Sequence, residues 1–184
     1  MADQPHSENE VLSLWAVPAN PQHLADVIAS LAEELGTSKF DPHITILGSI
    51  PVPKDEVLEL TLKVAAEARR FNATLTEVTG HARFFECITA TPSPTTELRT
   101  LRAAAEKIFE GHCQSVLPYR PHLSLLYGEL DEPAKEAVIK RLKEQTGVGI
   151  GVLGEVIPIE RLQIWTTGRS VEEWEMIGEA LLDM

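Results

Sequence analysis

Cysteine is nearly missing from this chain of 184 residues: only Cys87 and Cys113 occur. There is no Cys-x-x-Cys, so neither a zinc-binding knuckle nor a dithiol redox pair is indicated. Cys87 lies in an apolar run and reads as core. Cys113 follows a helix end and reads as exposed, and a disulfide between the two is not expected in a reducing cytosol. No apolar run approaches the ~20 residues of a membrane span. The N-terminus is acidic and has no apolar core, which argues against a signal peptide. Met1 to Asn9 read as a polar, flexible tail, and the expected location is the cytoplasm. Basic charge is also scarce. Sixteen Lys and Arg face 28 Asp and Glu, for a net charge of −12. A protein that grips long nucleic acid by its phosphates normally shows a basic stripe, and none is visible. The expected partner is a small anion held by local donors; no membrane, no long nucleic acid and no second subunit are expected.

Two short stretches carry the chemistry, and they are versions of one another. Pro42-His43-Ile44-Thr45-Ile46-Leu47 and Pro121-His122-Leu123-Ser124-Leu125-Leu126 both read Pro-His-aliphatic-hydroxyl-aliphatic-Leu. Aliphatic and β-branched residues favour a strand, with the Pro confined to its first position or an edge. Side chains alternate along a strand, so His43 and Thr45 share one face, as do His122 and Ser124. If the two strands lie side by side, two imidazoles and two hydroxyls converge on one small volume. A single His-x-Ser/Thr means nothing in a chain with six His; repetition of the whole hexad is the signal. The bland reading is a pair of half-buried strands whose polar groups bond to backbone.

Two imidazoles on opposite sides of a phosphate suit an in-line displacement. One takes a proton from water, and the other gives one to the leaving oxygen. Imidazole ordinarily titrates near pH ~6.5, so both forms are accessible. Thr45 and Ser124 can donate to the non-bridging phosphoryl oxygens, where charge concentrates. No Asp or Glu accompanies the His pair at ligand spacing, so no metal and no other cofactor is expected. A strained cyclic phosphate is the natural substrate for such an apparatus.

The surrounding pattern predicts a strand from Val11 to Val17 and a helix after Asn20-Pro21 ending at Gly36. Its stripe is Leu24, Val27, Ile28, Leu31 and Leu35, which leaves His23 as a solvated side chain. After the first His strand come a helix over Lys54–Arg70 and strands over Phe71–Val78 and Ala82–Thr91, the second stopped by Pro92 and Pro94. A helix over Thr95–Glu110 leads to the second His strand. A helix over Glu132–Gln145, capped by Asp131, then precedes a Gly-rich turn from Gly147 to Gly154. Strands over Ile159–Thr167 and Trp174–Leu182 end the chain. The fold class is therefore α+β: one domain, residues 1–184, with two pseudo-symmetric lobes. Two antiparallel sheets would face a central cleft, with helices on their outer faces.

The paired motifs resemble those of the 2H phosphoesterase superfamily. Ser13-Leu14-Trp15-Ala16-Val17-Pro18, Phe40-Asp41-Pro42-His43-Ile44-Thr45, Phe84-Phe85-Glu86-Cys87, Pro118 to Tyr127 and Val171-Glu172-Glu173-Trp174 are similar to the plant and fungal cyclic phosphodiesterases. The resemblance covers nearly the whole chain. It implies hydrolysis of ADP-ribose 1″,2″-cyclic phosphate to ADP-ribose 1″-phosphate, downstream of tRNA splicing. It also implies opening of nucleoside 2′,3′-cyclic phosphates to 2′-phosphates. By the same resemblance His43, Thr45, His122 and Ser124 are catalytic, with His122 the base and His43 the acid. Trp15, Phe85 and Tyr127 are implied near the nucleotide. Strict alternation opposes Tyr127, which reaches the site only if its strand bulges or ends first. Two rivals remain. An RNA-end phosphoesterase or 2′–5′ RNA ligase-like relative should carry a more basic surface. A non-catalytic nucleotide-binding module would hold the phosphate without turning it over.

Overall fold

A computed structural model describes residues 11–51, 53–110, 118–144 and 150–184. The tail, Cys113 and the first residues of the Gly-rich turn lie outside them. The described strands are β1 (Leu12–Pro18), β2 (Ile44–Ile50), β3 (Phe71–Gly80), β4 (Ile88–Ser93), β5 (Leu123–Leu126), β6 (Val156–Thr166) and β7 (Glu175–Leu181). The helices are α1 (Gln22–Leu35), α2 (Lys54–Ala66), α3 (Thr96–Ile108) and α4 (Glu132–Leu142).

The expectation of two separate sheets is corrected by the pairing. The strands run β1-β2-β5-β4-β3-β6-β7, and β1 also pairs with β6. Six strands thus close into one antiparallel ring, with β7 attached outside it to β6. Long-range pairings do the closing, β1 with β6 among them. β2 and β5 meet through the single register pair Ile44↔Leu123, and β3 meets β6 from Phe71↔Ile159 to Thr74↔Val156. These pairings join residues far apart in the chain, which local sequence pattern does not reveal.

Alternation sorts the two faces of the ring. Leu12, Leu14, Ala16, Ile44, Ile46, Leu123, Leu125, Ile88 and Ala90 are buried in one hydrophobic core. Their neighbours Ser13, Trp15, His43, Thr45, Ser124 and Thr89 fall on the other face. Burial of the apolar face stabilises the fold by roughly 25 cal/mol per Å² of apolar surface. The helices contact the ring in exchanged fashion: α1 follows β1 yet touches β5, and α3 follows β4 yet touches β2. Each His strand is therefore backed by the other half's helix.

Local signals explain the helix ends. Gly36 closes α1 in the left-handed conformation, φ 66°, and its N–H donates to the Ala32 carbonyl. Asp131 caps α4 by accepting from the Ala134 N–H at 2.9 Å. Several details differ from expectation. The helix α2 stops at Ala66 rather than Arg70. Residues 81–87 form a loop closed by the His81 N–H donating to the Cys87 carbonyl at 3.0 Å, with a 3₁₀ turn at Phe84–Glu86. The expected strand therefore begins only at Ile88. Pro92 does not stop it: Pro92 pairs with Leu75 at a bulge, where a missing N–H is tolerated. His23 is not simply solvated, since its Nδ1 lies 2.8 Å from the Glu155 carboxylate.

Candidate active site

The site begins with a backbone device that occurs twice. In Asp41-Pro42-His43, the His43 Nδ1–H donates to the Asp41 carbonyl at 2.7 Å. In Arg120-Pro121-His122, the His122 Nδ1–H donates to the Arg120 carbonyl at 2.9 Å. Proline holds the residue before it extended, which lays that carbonyl back toward the imidazole two residues on. Both rings are fixed in the Nδ1–H tautomer when neutral, and each Nε2 is left for other partners.

Pairing then brings the four motif residues together. β2 and β5 are antiparallel neighbours, and His43, Thr45, His122 and Ser124 line one cleft of about 440 Å³. Trp15 lies opposite Thr45 across β1 and β2. Its indole stacks on the His43 ring, with centroids 3.6 Å apart and planes within 8°. Phe85 and Tyr127 also line the cleft.

The two histidines differ sharply in environment. His43 is only 5 % exposed, between Trp15 and the edge of Phe40. Burial pushes its pKa down to about 4, against the opposing pull of the Asp41 carbonyl and with a smaller contribution from the His122 charge. His122 is half-buried and open to the cleft. The hydroxyls differ as well. Ser124 is buried, and its Oγ donates to the Phe85 carbonyl at 2.9 Å. Thr45 is half-buried with no hydrogen-bond partner for its hydroxyl among the described residues. A ligand phosphate can recruit Thr45 directly, whereas Ser124 must rotate away from an existing bond.

Tyr127 reaches the site because β5 ends at Leu126, one residue before it. Gly128 follows with φ 146°, a turn that frees Tyr127 from strand alternation. The ring stacks on Phe40 at 3.7 Å, and its hydroxyl lies 3.4 Å from His43 Nε2. In the neutral tautomer that nitrogen is the acceptor and the phenol the donor. Burial raises the Tyr127 pKa far above neutrality, which keeps the donor proton in place.

Several cleft residues escaped the sequence reading. Trp174 lies just outside β7 and lines the cleft, 6.0 Å from the Phe85 ring and 6.0 Å from Tyr127. Trp165 backs Trp15 at 4.7 Å. Ser13 and Thr167 share a hydrogen bond at 2.8 Å and also line the cleft. A signal was present for Ser13, which alternation puts on the same face of β1 as Trp15; Trp165 pairs with Ser13 across β1 and β6, which local sequence does not show. A third imidazole, His81, lies in an adjoining groove that also includes His122, with Nε2 3.2 Å from Thr79 Oγ1 and 3.3 Å from Thr89 Oγ1.

Comparison with known proteins bears on the family and the fold. The family model of the 2′-5′ RNA ligase superfamily matches residues 15–152. A cyclic phosphodiesterase of Arabidopsis thaliana is 24% identical over 173 residues, covering 93% of this chain and 94% of its own. Among solved structures, E. coli LigT complexed with 3′-AMP superposes with a TM-score of 0.65 at 16% identity, covering 96% of this chain and 100% of that one. TT0787 of Thermus thermophilus gives a TM-score of 0.61 at 15% identity, covering 94% and 97%. At such identities the structural likeness concerns the fold alone.

Proposed function

We infer the activity from one premise: this chain belongs to the 2′-5′ RNA ligase superfamily. We propose that it is a phosphoesterase that hydrolyses small cyclic phosphate diesters. The substrates are nucleoside 2′,3′-cyclic phosphates, opened to 2′-phosphates, and ADP-ribose 1″,2″-cyclic phosphate, opened to the 1″-phosphate. The observation that carries this reading is that His43, Thr45, His122 and Ser124 line one cleft. The Arabidopsis thaliana relative, named a cyclic phosphodiesterase, supports the same chemistry.

The reaction needs one new P–O bond and one broken P–O bond. His122, open to the cleft, accepts a proton from water as the water oxygen bonds to phosphorus. His43 donates a proton from Nε2 to the departing ribose oxygen. For a 2′,3′-cyclic phosphate the bond broken is P–O3′. Thr45 and Ser124 donate to the non-bridging oxygens. His43 is neutral in the empty cleft at pH 7 because its pKa is about 4. A bound phosphate anion reverses that balance by placing negative charge beside a desolvated ring. The Trp15 indole, stacked face to face, favours the imidazolium in the same direction. Substrate thus charges its own acid.

Among the described residues, no three His, Cys, Asp or Glu side chains gather as a metal-ligand set. The test is hydrolysis of 2′,3′-cyclic nucleotides and of ADP-ribose 1″,2″-cyclic phosphate after dialysis against chelator, with product phosphates identified by NMR. Turnover to the 2′-phosphate is expected. Binding without turnover would leave a nucleotide-binding module. Activity confined to oligonucleotide ends would make it an RNA-end phosphoesterase.

A further inference from the structure

The cleft does not end at His122. A second concavity of about 430 Å³ shares Thr45, Glu86 and His122 with it and adds Arg83, Arg102 and Arg120. In a chain of net charge −12, three guanidinium groups around one hollow make a local reversal of sign. Arg102 is consumed: it donates to the Ile46 carbonyl, pairs with Glu106 at 2.7 Å and lies 5.2 Å from the Tyr119 ring centroid. Arg83 and Arg120 are not. Each touches Glu86 through one terminal nitrogen, at 3.1 Å and 3.2 Å. A guanidinium carries five N–H donors, so most of these have no partner among the described residues.

Glu86 itself is out of place. A carboxylate at the rim of a phosphate cleft repels the ligand unless its charge is occupied. It is only 18 % exposed, under arginines that are 57 % and 62 % exposed. Arg83 precedes the 3₁₀ turn and Arg120 precedes the second His motif, so Glu86 ties two separate segments together. The local sum is two positive charges against one negative. The carboxylate orients two guanidinium groups over the hollow while leaving a surplus of positive charge there.

We propose that Arg83 and Arg120, oriented by Glu86, form a second anion subsite that binds a phosphate of the substrate other than the reacting one. This rests on the phosphoesterase reading, because the reacting phosphate is what fixes the ligand at the junction. It deepens that reading by naming the preferred class: cyclic phosphates that carry a further phosphate, over those of simple nucleosides. The further phosphate can be a 5′-monophosphate or part of a pyrophosphate.

Binding and turnover test it separately. Calorimetry compares adenosine 2′-monophosphate with adenosine 2′,5′-bisphosphate and with ADP-ribose 1″-phosphate. Kinetics compares 2′,3′-cyclic AMP, its 5′-phosphorylated form and ADP-ribose 1″,2″-cyclic phosphate. Wild type is expected to favour at least one ligand bearing the further phosphate by ~10-fold or more, as two charge-assisted hydrogen bonds allow. The arm that shows the preference identifies its source. The double variant Arg83→Gln/Arg120→Gln is expected to reduce that ratio at least ~10-fold, chiefly through KM. Arg83→Lys/Arg120→Lys should keep part of it. Hydrolysis without any arginine-dependent preference would overturn the subsite and leave the activity standing. An arginine-dependent preference in binding, with no hydrolysis of any cyclic phosphate, would uphold the subsite and overturn the activity.

Discussion

His43 and His122 occupy the same position in the same motif, carry the same hydrogen bond to a carbonyl two residues back, and live in different media. His43 is walled in by Trp15, Phe40 and Tyr127. His122 faces the junction of the cleft with the arginine-lined hollow. Spelling thus fixes where each imidazole points, and tertiary packing fixes how readily it is charged. Duplicated motifs do not make duplicated roles. A pair held in equal environments would have no preferred direction of proton flow; burial breaks that symmetry by favouring a neutral His43, so the acid role proposed for His43 depends on the charge of a bound phosphate.

The most severe way to break the comparison is to remove each ring. His43→Ala and His122→Ala should each lower turnover of a 2′,3′-cyclic nucleotide by at least ~10². The asymmetry then shows in the leaving group. An acid matters less when the departing oxygen is already a good leaving group, so a phosphodiester with an activated phenolate should rescue His43→Ala far more than His122→Ala. The reverse pattern would exchange the roles, and equal rescue would deny both.

A second test reads the burial of His43 without any substrate. Unfolded, its imidazole titrates near ~6.5; folded, at about 4. Above pH 6.5 both states are neutral, and the group contributes no pH dependence. As pH falls from about 6.5 to about 4 the unfolded chain takes up the proton and the native one resists, so stability is lost through that window. The full shift corresponds to about 3 kcal/mol. His43→Gln removes this linkage. Comparing urea unfolding at pH 7 and pH 4.5, wild type should lose about 2 kcal/mol more than the variant. Equal losses would mean that His43 is not held neutral by the fold.

Much of this was legible beforehand, for physical reasons. The period of two put His43 with Thr45 on one face of the first motif and His122 with Ser124 on one face of the second, while Trp15 came from the family resemblance alone. Gly36 and Asp131 marked helix ends because their conformational and capping chemistry is local. Ring closure was not legible, since β3–β6 and β1–β6 pairing joins distant segments. Nor was the loop of residues 81–87. Its apolar letters Phe84, Phe85 and Cys87 read as a strand, but the His81–Cys87 backbone bond turns the chain and leaves Phe85 52 % exposed at the cleft. Arg83, Glu86 and Arg120 carried no separate expectation from the sequence; the loop brings Arg83 and Glu86 beside Arg120 of the second motif.

The two hydroxyls sharpen the comparison at a smaller scale. Thr45 is half-buried with no hydroxyl partner among the described residues, while Ser124 is buried and already donates to the Phe85 carbonyl. Thr45→Ala should cost about 10–10² in turnover through loss of a donor to developing charge, a neutral hydroxyl giving less than the strongest oxyanion donors. Ser124→Ala should cost less in turnover, because wild type must first break a bond to use that group. It should instead lower stability by about 1 kcal/mol by leaving the Phe85 carbonyl without that donor. Steady-state kinetics with parallel urea titrations separates the two. A larger turnover loss for Ser124→Ala would show that its bond to Phe85 gives way freely when phosphate binds.

The smallest expected effect concerns the bond that couples Tyr127 to His43. At 3.4 Å it is long, hence weak. Its direction is fixed: the phenol keeps its proton, the neutral imidazole has its lone pair on Nε2, and so oxygen donates to nitrogen. A donor to that lone pair stabilises the neutral ring and opposes protonation. Tyr127→Phe removes it while keeping the aromatic wall against Phe40, so burial of His43 is preserved. The His43 pKa should therefore rise, by less than one unit because the bond is weak, and should stay below the ordinary imidazole value. NMR titration of the His43 ring protons measures this directly. Turnover should change by less than ~10-fold. In the free enzyme the proton needed for donation becomes easier to hold, which should favour kcat/KM slightly. A fall in pKa would mean that the phenol had been stabilising the imidazolium, and an unchanged value would mean that the desolvating walls alone set the proton affinity of His43.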